Sequence, residues 1–599
     1  MSRAFVSTPR YGLVAVVILA CFATVLGRLY QLHVVDRPQM LEVAEHDRHK
    51  FDMLYARRGD IVDQRGNVLA TTRSVVELGL DPQAVEPADF AKLPELARLT
   101  GLPVEQLQAA FTEKMKVVEE TDGTQESQPV KWAKLMDNLE EPVYEQIQAL
   151  GIKAVYGTRT FQRVYPGGEL AAHVLGYVNK EGQPAMGVEA FMDFYLRGQD
   201  GWRETEHDGK RQELPQFNSM EVAPTDGLNL EVTLDAMLQY YAEQEVKRLV
   251  SDYQPQAVSI IISDPATGEI QALANYPTFD PNHYGNYPMS NLKNHAVADV
   301  FEPGSTFKIV TASAALNEGL VQPEDEFDCG KATIEYRGHE LPLPHDSEPH
   351  GILSVSQIVS ESSNRGAANL GVMLGGQRLY DYARAFGFGE ATGFGLGGET
   401  RGILNPVSKW DGLTITRMPM GQAVGATAMQ VHEAMAVIAN HGVFMEPHLV
   451  RRVYDAKGET VVAFPPVAKR RVISEHTADE LNQMLCDVVG PDGTATRARL
   501  QDITVAGKTG TAQKIIDGHY SDTHFISSFT GYFPAERPRL VMTVIVDDAH
   551  FKGTAFGGLV AAPAFHNVAQ LAVQYMGIQP AGGRENLLAM KGDNLDWFR

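Results

Sequence analysis

An uncharged run from Tyr11 to Gly27, continued past Arg28 by Leu29-Tyr30-Gln31-Leu32, constrains this chain more than any other stretch. About 20 apolar residues in helical form cross the hydrocarbon of a bilayer, so residues 11–32 are expected to be one membrane anchor. A cleaved signal peptide is the rival reading, and Ile18-Leu19-Ala20-Cys21 has the pattern of a lipoprotein cleavage site. Against it, Phe22 to Leu26 stay apolar where a processed chain turns polar. Arg3 and Arg10 precede the run, which puts residues 1–10 in the cytoplasm and everything after about residue 35 outside it.

Beyond the anchor the composition is that of a globular protein, and 599 residues allow about four domains. Acidic residues outnumber basic ones by 75 to 52, giving a net charge of −23, and no long basic run is present. Nucleic acid is therefore not an expected partner. Cys21, Cys329 and Cys486 are too far apart for a disulfide framework, and at most Cys329 and Cys486 could pair.

Taken in order, Arg57 to Ala70 places Ile61-Val62 and Val68-Leu69 around a polar Asp-Gln-Arg-Gly-Asn turn, which predicts a β-hairpin. Helical spacing of Leu, Ala and Phe recurs over residues 86–115 and 141–150, while Glu119 to Gln128 is expected to be a loop. Phe161 to Gly201 alternates turns with apolar stretches and reads as packed and non-catalytic. A turn at Ala223-Pro-Thr-Asp-Gly227 marks a domain boundary, followed by an alternating segment, Leu228 to Leu234, and a helix carrying Leu238 and Tyr241. Val258–Ile262 and Ile270–Ala274 predict an antiparallel pair, Leu540–Val546 another strand, and helices dominate from Ser305 to Leu485. This predicts an α+β domain in which an antiparallel sheet draws strands from both ends and a helical block is inserted between them. The tail after Gly577, rich in Gly, Asn and charge, is expected to be mobile.

Chemistry is concentrated in Glu302-Pro-Gly-Ser-Thr-Phe-Lys308. A helix from Ile309 to Leu320 is predicted after it, with Pro303-Gly304 as a sharp turn into it and Gly319 near its end. Residues three apart share a helix face, so a neutral Lys308 could take the proton of Ser305. The free N–H groups of the helix start could stabilise an oxyanion there. Ser-x-x-Lys alone is a weak signal; Ser362-Ser363-Asn364 alone reads as a helix cap, and Lys508-Thr509-Gly510 alone as a strand end. Together and in this order they form the Ser-x-x-Lys, Ser-x-Asn, Lys-Thr-Gly set of penicillin-interacting serine enzymes.

On these residues the chain resembles the class B penicillin-binding proteins, membrane-anchored peptidoglycan D,D-transpeptidases. Arg58-Gly-Asp-Ile-Val-Asp63 with Gly66-Asn-Val-Leu-Ala70 is similar to the family's membrane-proximal signature, and Gly187-Val-Glu189 with Leu196-Arg-Gly198 to its pedestal motif. The resemblance implies a mixed α/β non-catalytic pedestal of the dimerisation type over 33–225, a serine β-lactamase-like transpeptidase domain over 226–576 and a tail over 577–599. It implies a bacterial cytoplasmic-membrane protein with its catalytic domain outside. By motif, Ser305 attacks the penultimate carbonyl of a stem peptide ending in D-Ala-D-Ala, and an amine of a second stem peptide then takes the acyl group. Lys308 is the implied base, its pKa lowered by burial and by Lys508; Ser362 relays a proton to the leaving nitrogen and Asn364 orients Lys308. Backbone N–H groups at Ser305 and Thr511 form the implied oxyanion hole. Lys508 and the hydroxyls of Thr509 and Thr511 suit a terminal carboxylate, and Gly510 allows close approach.

The resemblance further implies β-lactams as ligands, no cofactor, and dependence on a multipass membrane glycosyltransferase with division or elongation proteins, division being favoured. Rival readings are an elongation-type enzyme, a D,D-carboxypeptidase or β-lactamase-like hydrolase, and a non-enzymatic scaffold or β-lactam sensor. Two departures stand out: Gly421-Gln-Ala423 where relatives often have Tyr-Gly after a Gly, and Arg365 where a small apolar residue is expected. Asp328, Cys329, His339, His345, Asp346 and His350 fill a polar stretch whose spacing matches no standard zinc pattern, so a polar loop without metal is expected.

Overall fold

The structure, a computed structural model, describes residues 8–37, 49–119, 125–206 and 220–580. The expected mobile tail falls largely outside them, as do the first seven residues. The chain forms two compact units, residues 1–57 with 197–227, and 58–196 with 228–599.

The first unit contains the apolar segment as a helix, Thr8–Tyr30, extended by a π-helical turn, Gln31–Val35. From Gly12 to Val35 it is long and apolar enough to cross a membrane, and none of it is buried in protein. The same unit has a three-stranded antiparallel sheet of His49–Leu54, Gly201–Glu206 and Met220–Val222.

In the second unit the predicted hairpin is present: Ile61–Val62 pairs antiparallel with Val68–Leu80. Its turn is held by Asp63, whose carboxylate accepts from Arg65 N, Asn67 N and Ala236 N at 2.8–3.0 Å. Ile61–Val62 also pairs, in parallel, with Asn229–Val232, and the sheet runs on through Val450–Tyr454 to Thr460–Ala463. Segments far apart in sequence therefore share one sheet. The predicted helices appear at Leu93–Thr100, Val104–Thr112 and Glu141–Ala149, and bury Leu96, Leu107, Phe111 and Ile147 with Leu78 of the long strand. The loop expected over Glu119–Gln128 is corrected: Gln125–Pro129 is a strand paired with Met115–Glu119. Backbone pairing holds such a ribbon, so a polar sequence gives no apolar alternation to reveal it.

A buried charge cluster joins two of the sequence signatures. Glu189 has no exposed surface and accepts from Arg58 Nε at Oε2 and from Arg163 Nε at Oε1, both at 2.7 Å. Arg58 also meets Asp193, and Tyr165 donates to Glu189 at 3.3 Å.

Another sheet of this unit has five antiparallel strands in the order Ile270–Tyr276, Ala257–Ser263, Leu540–Asp547, His519–Phe533, Ala506–Ile516. Ala257–Ser263 is buried at every position, so both faces of the sheet are covered. On one face Phe529 and Phe533 meet Phe565 of the helix Gly557–Met576 edge-on. One residue along the strand, Thr530 bonds Thr543, which meets His432 of the helix Ala428–Ala439 on the opposite face. The helical block lies between residues 304 and 489, as the sequence predicts.

Candidate active site

The Ser305 region begins as a 3-10 turn, Gly304–Phe307, that passes into the helix Lys308–Asn317. The helix thus starts one residue earlier than predicted and ends three earlier, with Gly319 left-handed at φ +63° just beyond it. Thr306 Oγ1 closes the turn by donating to Pro303 O at 2.8 Å. Lys308 is 2 % exposed and Lys508 wholly buried, so both amines are inside the protein.

They converge on Ser362. Lys308 Nζ donates to Ser362 O, to Asn364 Oδ1 at 2.8 Å and to Ser362 Oγ at 3.2 Å. Lys508 Nζ donates to the same Ser362 Oγ at 2.8 Å, and to its neighbour's carbonyl, Thr509 O, at 3.3 Å. Ser362 has a left-handed backbone at φ +62°, a conformation that costs about 1–3 kcal/mol outside glycine and here turns both its oxygens toward Lys308. Lys308 N donates to Ser305 O in closing the turn, but among the described residues no hydrogen bond joins Ser305 Oγ to Lys308 Nζ.

Burial lowers the pKa of Lys308 well below its usual value, and the nearby Lys508 lowers it further, while Asp346 opposes both. Burial alone brings Lys508 down to about 7. A neutral amine has two N–H donors and one lone pair. In Lys308 the two donors match Ser362 O and Asn364 Oδ1, which leaves the lone pair for a hydroxyl proton.

The loop before the second motif, which the sequence presents only as a polar stretch, supports this group. Asp346 accepts from Ser363 Oγ at 2.9 Å, from Asn364 N and from Arg365 N at 3.2 Å, holding the first turn of the helix Asn364–Leu374. Asn364 Nδ2 donates to His345 O at 2.7 Å. Arg365, unexpected from the sequence, clasps the loop by donating to the carbonyls of Pro344, Cys329 and Gly330. Cys329 and Cys486 are both free. Among the described residues no three His, Cys, Asp or Glu side chains gather as metal ligands do.

Along the strand Ala506–Ile516, Thr509 Oγ1 pairs with Thr494 Oγ1 at 2.8 Å and is nearly buried, while the more exposed Thr511 hydroxyl accepts from Gly557 N at 3.0 Å. Thr511 thus keeps its own proton to donate, and Thr509 spends its hydroxyl within the protein. A Cβ on Gly510 would lie 2.3 Å from Ser528 Oγ and 3.0 Å from a Thr306 methyl, so only glycine fits between strand and turn. Gly421, left-handed at φ +86°, packs on Gly304 so closely that a Cβ would come within 2.1 Å of its carbonyl oxygen.

Two residues not foreseen from the sequence join this rim. Glu302 accepts from Ala423 N at 2.8 Å and from the Tyr520 hydroxyl at 3.1 Å, and burial raises its pKa. A cavity of about 790 Å³ lies behind the turn, against Val300, Glu302, Ala423 and Lys514, but Ser305 does not line it. Its charges satisfy each other, as in Lys514–Asp547 at 2.6 Å and His295–Asp299 at 2.6 Å.

Comparison with known proteins agrees with this geometry. Residues 258–570 match the penicillin-binding protein transpeptidase domain family, and residues 53–232 the penicillin-binding protein dimerisation domain family. The chain is 33 % identical to the stage V sporulation protein D of Bacillus subtilis, over 89 % of this chain and 80 % of that one. It is 28 % identical to the peptidoglycan D,D-transpeptidase FtsI of Escherichia coli, over 95 % of this chain and 92 % of the other. Among solved structures, penicillin binding protein 3 of Mycobacterium tuberculosis complexed with aztreonam superposes with a TM-score of 0.66 at 28 % identity, covering 89 % of this chain and 99 % of that one. With the three motifs gathered at Ser362 and both family domains matched in order, this chain belongs to the class B penicillin-binding proteins.

Proposed function

We propose that this protein is a peptidoglycan D,D-transpeptidase that cross-links stem peptides at the division septum and is acylated by β-lactams. The observation that carries the mechanism is the meeting of Lys308 Nζ and Lys508 Nζ at Ser362 Oγ, in a buried site beside the Ser305 turn. Ser305 Oγ attacks the penultimate carbonyl of a D-Ala-D-Ala stem as Lys308 takes its proton. The C–N bond to the terminal D-Ala then breaks, with Ser362 passing a proton to the departing nitrogen, and an amine of a second stem displaces Ser305 from the ester. Lys508 keeps the Ser362 oxygen poised, while Asn364 and the Ser362 carbonyl hold the Lys308 amine. Gly510 and Thr511 border the substrate, Thr511 offering its hydroxyl proton to a carboxylate, and Thr509 steadies the strand.

Residues 11–32 anchor the protein, with 1–10 cytoplasmic and the catalytic part outside. Residues 33–225 serve as pedestal and 226–576 as the transpeptidase domain. The partner supplying glycan strands is a multipass membrane glycosyltransferase of the division machinery.

Mass spectrometry of the full-length chain in detergent, incubated with benzylpenicillin and then peptide-mapped, tests this reading. A long-lived adduct on Ser305, absent in Ser305→Ala, is expected. Rapid drug turnover would favour a hydrolase, and an unlabelled chain a scaffold.

A further inference from the structure

Arg417 ends the short helical turn Thr414–Arg417, directly before the 3-10 turn Met418–Met420 and Gly421. This segment is tied to the nucleophile region: Gly304 N donates to Gly421 O at 3.2 Å, and Thr311 Oγ1 donates to Pro419 O at 2.9 Å. Arg417 O itself accepts from Gln422 N at 3.2 Å, so its backbone belongs to the loop that rims Ser305. The ionisable group acting on its guanidinium is the Tyr520 phenol, whose hydroxyl is bonded to Glu302, three residues before the nucleophile.

Among the described residues that guanidinium has no counter-ion. No carboxylate among them reaches it, and its Nη1 is buried without a hydrogen-bond partner. Arg163 also has a buried nitrogen without a hydrogen-bond partner, yet it meets a carboxylate, that of Glu189 at 2.7 Å. Burial lowers the pKa of Arg417, and the Tyr520 phenol opposes it. A desolvated arginine presents a planar fork of donors matched to a carboxylate, and its energetic deficit is relieved when such an anion arrives.

We propose that Arg417 is a specificity-determining residue that binds a carboxylate of the stem peptide other than the terminal one facing Thr511. The inference rests on the transpeptidase reading above and adds a charge requirement to it. Either stem peptide can supply the group, the donor that acylates Ser305 or the acceptor that brings the amine.

The test uses the full-length chain in detergent and reads ratios. In the donor arm, Ser305 acylation by carbenicillin is compared with acylation by benzylpenicillin, which lacks only the side-chain carboxylate. In the acceptor arm, an acyl-enzyme formed from a D-Ala-D-lactate depsipeptide is aminolysed by Nα-acetyl-lysine or by Nα-acetyl-lysinamide, which lacks only the carboxylate. Arg417→Gln is expected to lower the charged-to-neutral ratio about tenfold or more in one arm, which identifies the source of the carboxylate. Arg417→Lys should restore part of that ratio, showing that charge rather than folding is read. Ratios unchanged in both arms overturn the proposal, including the case in which charged and neutral partners slow equally because the loop has merely shifted. No Ser305 adduct in the unsubstituted chain overturns the transpeptidase reading itself, which the benzylpenicillin control detects first.

Discussion

Two buried charge clusters lie in the same compact unit and differ in one respect. Around Glu189 every charge is answered: Arg58 and Arg163 each bond one carboxylate oxygen, Asp193 takes the remaining reach of Arg58, and these contacts raise the Arg58 pKa despite its burial. Around Ser362 two cations of like sign share one hydroxyl, and both are driven toward the neutral amine. Opposite charges in a fixed geometry lock two chain segments together. Like charges held together leave proton transfer as the means of relief, and that is chemistry.

The largest effect expected from this contrast is on Lys308→Met, which should slow benzylpenicillin acylation by about 10²–10⁴-fold, the usual contribution of a positioned base. Stability should not fall with it. Lysine is charged in the unfolded chain at neutral pH, so a folded-state pKa depressed by burial penalises the native state there, and methionine removes that penalty. A clearly lowered melting midpoint would erase the distinction between the clusters. Glu189→Gln should do the reverse: it leaves the buried Arg163 guanidinium without its carboxylate and Arg58 with Asp193 alone, and costs about 3–5 kcal/mol, while the fraction that stays folded still acylates. Denaturant titration beside drug labelling separates the two outcomes.

A third, smaller effect is on the pH profile. Acylation requires Lys308 as amine and Lys508 as ammonium, so the rate should rise with pH as Lys308 loses its proton and decline as Lys508 discharges above about 7. A rate that climbs without decline into alkaline solution would show that the Lys508 charge has no part in the step. Smallest is Asp346→Asn, which weakens the hold on the Asn364 helix at a cost of about 1 kcal/mol. Because Asp346 favours the charged form of Lys308, its loss should move the rising limb of the same profile to lower pH.

Three strands of the five-stranded sheet, the hairpin at Ile61 and the helical block were legible because apolar runs and periodic apolar residues mark elements that pack into a core. His519–Phe533, polar at its start, was not read as a strand. The three motifs were legible as motifs, and the structure brings Lys308, Ser362, Asn364 and Lys508 within bonding distance of one another. What escaped were residues whose importance lies in contacts distant in sequence. Asp346 looks like any acid in a polar loop until Asn364 N is placed on it, and Tyr520 joins Glu302 across 218 positions. Arg365 looked out of place because its partners are backbone carbonyls, which every residue has and no sequence distinguishes. The strand at Gln125 was missed because backbone pairing leaves no mark on a polar sequence.

The central pair of the catalytic sheet sets Ala257–Ser263 against Leu540–Asp547, and the strand bearing Lys508 lies two places beyond. During synthesis Ser305 therefore leaves the ribosome long before the strands that complete its surroundings. Contacts of such separation form late. A chain ending before that strand has no Lys508 and no second amine at Ser362. The second amine at Ser362 is thus among the last parts of the site to be synthesised, and it is in place only when the sheet is complete.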